Sequence, residues 1–262
     1  MQSAPTLKEC LDDKGVILGT FLQDVRSPFV VQLAAAAGLD FIIIDTEHGA
    51  FNTETVADLV KIARMAGVIP IVRVLAGAYE YICPRLDAGA GGILLPRVYN
   101  ADTVRQAVRV SKYPPAGIRG IITLKGQTDY VIPDLAHVIQ QKNAQNFIIP
   151  QIELREALEH LDEIVSVEGV DVVLVGPCDL SVSMGRPGEL THPQQTQAVE
   201  NVIASCRRHG VAPGIAVGSL AAAKEWIAKG MRFVCCQSDV MILATAFNQI
   251  TKELRGLAPG GA

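Results

Sequence analysis

Short apolar runs recur along the chain in one repeated setting. A stretch of helical periodicity ends at a glycine, an apolar run follows, and polar residues close it. Ala37-Gly38 leads to Phe41–Ile44 and then Asp45-Thr46-Glu47-His48. Ala66-Gly67 leads to Val68–Val72 and Arg73, and Ala88-Gly89 to Gly92–Leu95, Pro96 and Arg97. Glu168-Gly169 precedes Val170–Val175 and Asp179, and His209-Gly210 precedes Val211–Val217 and Ser219. Lys229-Gly230 leads to Phe233–Cys236, Gln237 and Asp239. Glycine just past a helix end takes the left-handed conformation without steric penalty. β-Branched runs too short for helices, bounded by such punctuation, read as buried strands. Val16–Phe21 and Phe147–Ile152 bring the number of strands to eight.

Helical periodicity fills the intervals. Thr53–Ala66 places Val56, Leu59, Val60 and Ala63 on one face behind a cap at Asn52 or Thr53; Ala101–Val110 and Gln194–Arg208 are similar. Eight β-then-α units close most economically as a (β/α)8 TIM barrel. An open doubly wound sheet would call for a GxGxxG or phosphate loop, and neither is present. With no linker or low-complexity stretch, residues 1–262 read as a single barrel domain.

Composition agrees with buried parallel strands: 49% of residues are hydrophobic but only 5% aromatic, so Val, Ile, Leu and Ala must build the core. A net charge of −4 without a basic run argues against nucleic acid as a partner. Residues 1–15 lack the basic-then-apolar order of a signal peptide, and no apolar run approaches membrane-spanning length, so no membrane association is expected. The six cysteines lack CxxC spacing and read as reduced thiols of a cytoplasmic enzyme.

A barrel of this kind carries its chemistry at the C-terminal ends of its strands. That makes Asp45, Glu47, His48, Arg73, Arg97, Gln151, Glu153, Asp179, Ser219 and Asp239 a candidate set. Val170–Ser181 (VDVVLVGPCDLS) and Phe147–Glu153 (FIIPQIE) share a grammar in which a buried strand delivers an acid just past its end. Two such strands can aim both acids at one point, as a divalent cation requires. Bland readings compete with these. Asp179 or Glu153 could cap the helix that follows it, and His48 could be a solvated histidine. For Arg97 and Asp239, surface pairing or capping is the favoured reading.

The longer motifs resemble the HpcH/HpaI aldolase family of metal-dependent class II aldolases acting on 2-oxo acids. The resemblance spans about Leu7 to Leu254. It rests on Asp45-Thr46-Glu47-His48-Gly49, Pro70–Val74, and Tyr113-Pro114-Pro115-Ala116-Gly117-Ile118-Arg119-Gly120. Gln151-Ile152-Glu153 with Arg155-Glu156-Ala157, and Glu168–Asp171 leading to Gly176–Ser181, complete it. The resemblance implies Glu153 and Asp179 as ligands of Mg²⁺ or Mn²⁺, with Co²⁺ a third candidate. It implies His48 as base, Asp87 as the group polarising His48, and Arg73 as stabiliser of developing negative charge. Gln151 and the backbone at Cys178-Asp179 would hold pyruvate.

The implied reaction cleaves a 4-hydroxy-2-oxo acid to pyruvate and an aldehyde through an enolate. An imidazole, with an ordinary pKa of about 6.5, suits removal of the C4 hydroxyl proton. An oxaloacetate decarboxylase or macrophomate-synthase-like lyase on the same platform is the second expectation, and a non-catalytic barrel the third. Gly49-Ala50-Phe51 and Ile121–Lys125 depart from the family's usual Ala-Pro-Asn and Gly/Ser-rich stretches, which suggests a more apolar aldehyde side. Family members also trade the last helix between subunits, here about residues 239–255, and assemble as hexamers. The alternative is that this helix packs on its own barrel.

Overall fold

A computed structural model describes residues 6–255; residues 1–5 and 256–262, the ends of the expected 1–262 domain, lie outside the described residues. Eight strands are present: β1 (Ile17–Leu22), β2 (Phe41–Asp45), β3 (Ile69–Arg73), β4 (Gly92–Leu95), β5 (Phe147–Ile152), β6 (Val172–Val175), β7 (Ala212–Val217) and β8 (Phe233–Ser238). Every neighbouring pair is parallel, and β8 returns to β1, closing the barrel in sequence order.

Helix α1 (Leu7–Lys14) precedes the barrel, and α2 (Phe29–Ala36), α3 (Thr53–Met65), α4 (Tyr79–Asp87) and α5 (Ala101–Ser111) follow the first four strands. A long segment containing α6 (Leu135–Gln145) separates α5 from β5. Beyond β5 come α7 (Arg155–Glu159), α8 (Leu161–Val165), α9 (Pro177–Ser183), α10 (Pro193–His209), α11 (Leu220–Lys229) and α12 (Asp239–Arg255). The Asn52 side chain caps α3 by accepting from the Thr55 N–H, and Gly210 and Gly230 end α10 and α11 in the left-handed conformation. No helix among the described residues is long and apolar enough to cross a membrane.

Strand side chains alternate between two buried layers, as the period of two requires. Ile17, Phe41, Ile43, Ile71, Leu94, Ile149, Leu174 and Phe233 fill the barrel interior, with the Phe41 and Phe233 rings stacked at 3.9 Å. Leu7, Cys10 and Leu11 of α1 close its N-terminal end. Their neighbours Ile42, Ile44, Val72, Ile93, Ile148, Val173 and Ile215 pack outward against the helices. The polar residues at the opposite, C-terminal end are thereby left to face one another.

Two expectations about the last strand and helix change. Asp239 neither pairs with a surface charge nor serves only its own helix. It is 4% exposed and accepts backbone N–H bonds from Gln23, Asp24 and Val25, besides Val240. One carboxylate thus ties the β1–α2 loop to the start of α12. Helix α12 itself does not pack on the barrel along its length: Asp239 is its one buried residue, and Met241, Ile242, Leu243, Phe247, Ile250 and Leu254 are exposed.

Asp239→Ala should release the 23–25 loop and orphan its three amides. Denaturant unfolding should report a loss of roughly 3 kcal/mol, the scale of a few hydrogen bonds to a charged acceptor. A loss within experimental error would show that the loop holds its shape without this carboxylate.

Candidate active site

Arg73 ends β3 beside Asp45, which ends β2, because the two are register partners. The guanidinium engages the carboxylate as a fork: Nε donates to Oδ1 at 2.8 Å and Nη2 to Oδ2. Burial works against both charges, but the paired bonds outweigh it. Asp45 is held below the usual carboxylate range, and Arg73 above its own ordinary value. Beneath the guanidinium the Phe21 ring lies 4.9 Å away. Above it, Nη1 lies 3.3 Å from Glu47 Oε2.

Asp45 has further duties. It accepts from the Gln23 side chain at 3.1 Å and from the backbone N–H groups of Glu47 and His48 at 3.0 and 3.2 Å. This folds the β2–α3 loop back over the barrel mouth and leaves the His48 ring 63% exposed, with Nε2 4.0 Å from Glu47 Oε2. Burial pushes Glu47 upward in pKa despite the opposing charges of Arg73 and His48. Its Oε2 is buried without a hydrogen-bond partner.

Glu153, just past β5, is 2% exposed. It accepts the Arg97 backbone N–H at 2.6 Å and a bond from the Gln151 amide. Arg97 reaches it from a left-handed conformation, φ 52°, so its backbone has a place in the site. Gln151 Oε1 is left buried and unpartnered. Burial raises the Glu153 carboxyl; the Arg97 N–H opposes it, the nearby charges of Glu47 and Asp179 add to it, and the result is a pKa of about 7.

Asp179 arrives on α9, whose start at Gly176 passes very close to Glu153. A Cβ at Gly176 would sit 2.7 Å from Gln151 Nε2 and 3.0 Å from Glu153 Oε2. Asp179 is not the cap of α9; Gly176 holds that position, and both Cys178 and Asp179 are exposed in the first turn. Glu153 likewise does not cap α7, where Leu154 takes that place. A cavity of about 220 Å³ is lined by Arg73, Gln151 and Asp179 together with the apolar Phe21, Val217 and Met241.

Among the described residues no cluster of three or more His, Cys, Asp and Glu side chains has the geometry of a closed metal site. A cation held by two carboxylates and otherwise by substrate and water does not require one. The donor set fits such an ion: the charge of Asp179 adds to the negative field at buried Glu153, and Gln151 Oε1 and Glu47 Oε2 accept no hydrogen bond.

Other expected placements fail. Asp87 is the last residue of α4, which runs from the C-terminal end of β3 back to the N-terminal end of β4. Its carboxylate there accepts from Arg119 Nη2 at 2.7 Å and lies 3.7 Å from Cys83 Sγ. The barrel's length separates it from His48, so it does not polarise that ring within one chain. Ile121–Lys125 also lies toward the far end, where Gln127 donates to the Ile122 carbonyl and Gly126 packs on Ala88. Phe51 packs into the outer core layer. Neither departure therefore lines the aldehyde side within one chain. Ser219 is the N-cap of α11. Gln23 had no sequence signal, and the places of Phe21 and Met241 in the cavity wall were not legible, since each takes its role from a contact between distant segments.

The HpcH/HpaI aldolase/citrate lyase family model matches residues 19–246. The chain belongs to this family. It is 39% identical over 224 residues to a 4-hydroxy-2-oxo-heptane-1,7-dioate aldolase of Escherichia coli, covering 85% of this chain and 84% of that one. The HpcH/HpaI aldolase of Desulfitobacterium hafniense DCB-2 has a similar structure: TM-score 0.93, 35% identity, 98% of this chain and 99% of that one. Macrophomate synthase superposes with TM-score 0.82 at 27% identity, covering 98% and 95%. A carbon–carbon lyase of the aldolase class follows from this membership.

With a pKa of about 7 in the folded chain and 4.5 ordinarily, Glu153 keeps a proton that the unfolded chain has lost. In chelator, stability should fall as pH rises between those values, by about 3 kcal/mol in all. Glu153→Gln removes that loss. Its melting midpoint should exceed the unsubstituted protein's at pH 8 and converge on it near pH 4; a gap independent of pH would contradict this.

Proposed function

We propose that the chain cleaves a 4-hydroxy-2-oxo acid to pyruvate and an aldehyde, reversibly, through the enolate of pyruvate. The observation that carries this reading is one cavity lined by Arg73, Gln151 and Asp179, with the buried Glu153 carboxylate bonded to Gln151 behind it and an exposed His48 beside Glu47. Glu153 and Asp179 would hold Mg²⁺ or Mn²⁺ (Co²⁺ as a third candidate), and the bound ion would supply Lewis-acid polarisation of the 2-oxo group.

Arg73 donates to the oxygen that gains charge as the C3–C4 bond breaks. Its fork to Asp45 fixes the guanidinium beforehand, so little reorganisation accompanies the reaction. Gln151 and the backbone at Cys178-Asp179 hold the pyruvate carboxylate. His48 removes the C4 hydroxyl proton, directly or through water, and its exposure lets it follow the substrate. Phe21, Val217 and Met241 supply apolar surface for the aldehyde portion. Asp87 has no part in this within one chain.

Pyruvate release from a panel of 4-hydroxy-2-oxo acids tests the reading. A chelator should abolish turnover and Mg²⁺ or Mn²⁺ restore it, while borohydride with pyruvate traps no adduct. Arg73→Ala should lower kcat by roughly 10²–10³ and slow pyruvate proton exchange in parallel. Chelator-resistant turnover with a pyruvate-modified lysine would overturn the assignment. The likeness to macrophomate synthase makes a carbon–carbon lyase acting without a hydroxyl base the second reading. Under it, His48→Ala would spare the main activity, such as oxaloacetate decarboxylation.

The assembly belongs to the same proposal: α12 is exchanged between subunits of a homohexamer. Its exposed apolar residues, which its own barrel does not cover, support this. Six free cysteines fit a cytoplasmic setting. Sedimentation at micromolar concentration should give a mass near that of a hexamer of 28.0 kDa chains; a monomer would count against exchange.

A further inference from the structure

The N-terminal end of the barrel holds a second cavity, of about 250 Å³, between α6, the start of β3 and the start of β5. Leu7, Ile69, Val138 and Phe147 give it apolar surface, and Arg64, Asp129, His137 and Gln141 line it as well. Lys142, in the last turn of α6, brings an ammonium to its lining. Among the described residues no carboxylate or carbonyl accepts a bond from that ammonium. The nearby Arg64 is already engaged: it pairs with Asp129 at 2.8 Å and donates to the Gly126 carbonyl. Lys112, by contrast, is buried with its ammonium bonded to the carbonyls of Asn143 and Asn146.

A half-buried cation without a hydrogen-bond partner among the described residues is costly against apolar surface, and the Asp129 charge, shared with Arg64, offsets this only in part. Burial first, then the positive charges of Arg64 and Arg119, lower Lys142 to about 8, with Asp129 opposing them. An arriving anion would recover the lost charge compensation, and an apolar chain attached to it would cover the adjoining wall. We infer that this cavity is a binding site for a small carboxylate with a short apolar chain, anchored by Lys142 and distinct from the site at the C-terminal end. Its size matches a ligand of a few carbons, below the usual range for drug-sized molecules.

The test uses the full chain with its lysines converted to ¹³C-dimethyl-lysine, a modification that keeps the charge. The Lys142 signal is assigned by its disappearance in Lys142→Met. Before ligand is added, it should titrate near pH 8, apart from the remaining lysines. Butyrate should shift it selectively and raise its midpoint by about one unit, as a neighbouring opposite charge does. His137, which lines the same cavity, should respond to butyrate in the dimethylated chain but not in Lys142→Met. Inorganic phosphate, lacking an apolar part, should act at least about tenfold more weakly.

A Lys142 signal with an ordinary midpoint and no response to butyrate would overturn the inference, showing that another protein segment or subunit compensates the charge. Equal responses to phosphate and butyrate, or equal shifts at all lysines, would overturn it as well. The measurement needs neither substrate nor cation, so its failure leaves the aldolase reading untouched.

Discussion

The buried fork between Asp45 and Arg73 is the constraint on which the active end of this barrel depends. Two adjacent strands end in opposite charges at register positions, where each alone would be expensive to bury. Paired, they fix a guanidinium with one nitrogen left over, and that nitrogen faces Glu47. The remaining capacity of Asp45 orders the loop that presents His48 and the side chain of Gln23. A single carboxylate thus sets the place of the cationic group, the height of the imidazole and the orientation of part of the cavity wall. Replacing Arg73 would remove a charge from the cavity and also leave Asp45 without the partner that offsets its burial.

Across the mouth the electrostatics have the opposite sign. Glu47, Glu153 and Asp179 bring three acids within one another's field, and one of them is almost fully buried. Protein bonds meet only part of their demand: a backbone amide from Arg97 and a side-chain amide from Gln151. A surplus of negative charge facing a fixed positive group divides this end of the barrel into an acidic half and a basic half. A 2-oxo acid, with adjacent carboxylate and carbonyl oxygens beside a carbon that becomes electron-rich, is complementary to that division.

The architecture was legible because most strands are short apolar runs set off by an upstream glycine, and period-two burial leaves few alternatives for such runs. Observed boundaries move by one or two residues, as with β1 at Ile17–Leu22 against Val16–Phe21. Strand-end residues such as Arg73 and Glu153 were legible for the same reason, since topology fixes which end of a barrel they reach. The place of Asp87 was not, because it ends a returning helix and so lies at the opposite end of its own barrel from His48. Asp239 was misjudged because its partners, the amides of Gln23, Asp24 and Val25, lie more than two hundred positions away and leave no local trace. Lys142 looks ordinary in sequence; its distinction is the wall it faces.

The close passage of Gly176 has a consequence for how this site can vary. Its missing side chain is the space in which the Gln151 amide and the Glu153 carboxylate lie side by side. Any larger residue there requires one of those groups to shorten or swing away, and each is held in place by the other. Positions 151, 153 and 176 therefore act as one steric unit, and a methyl group at the third displaces a side chain at one of the first two.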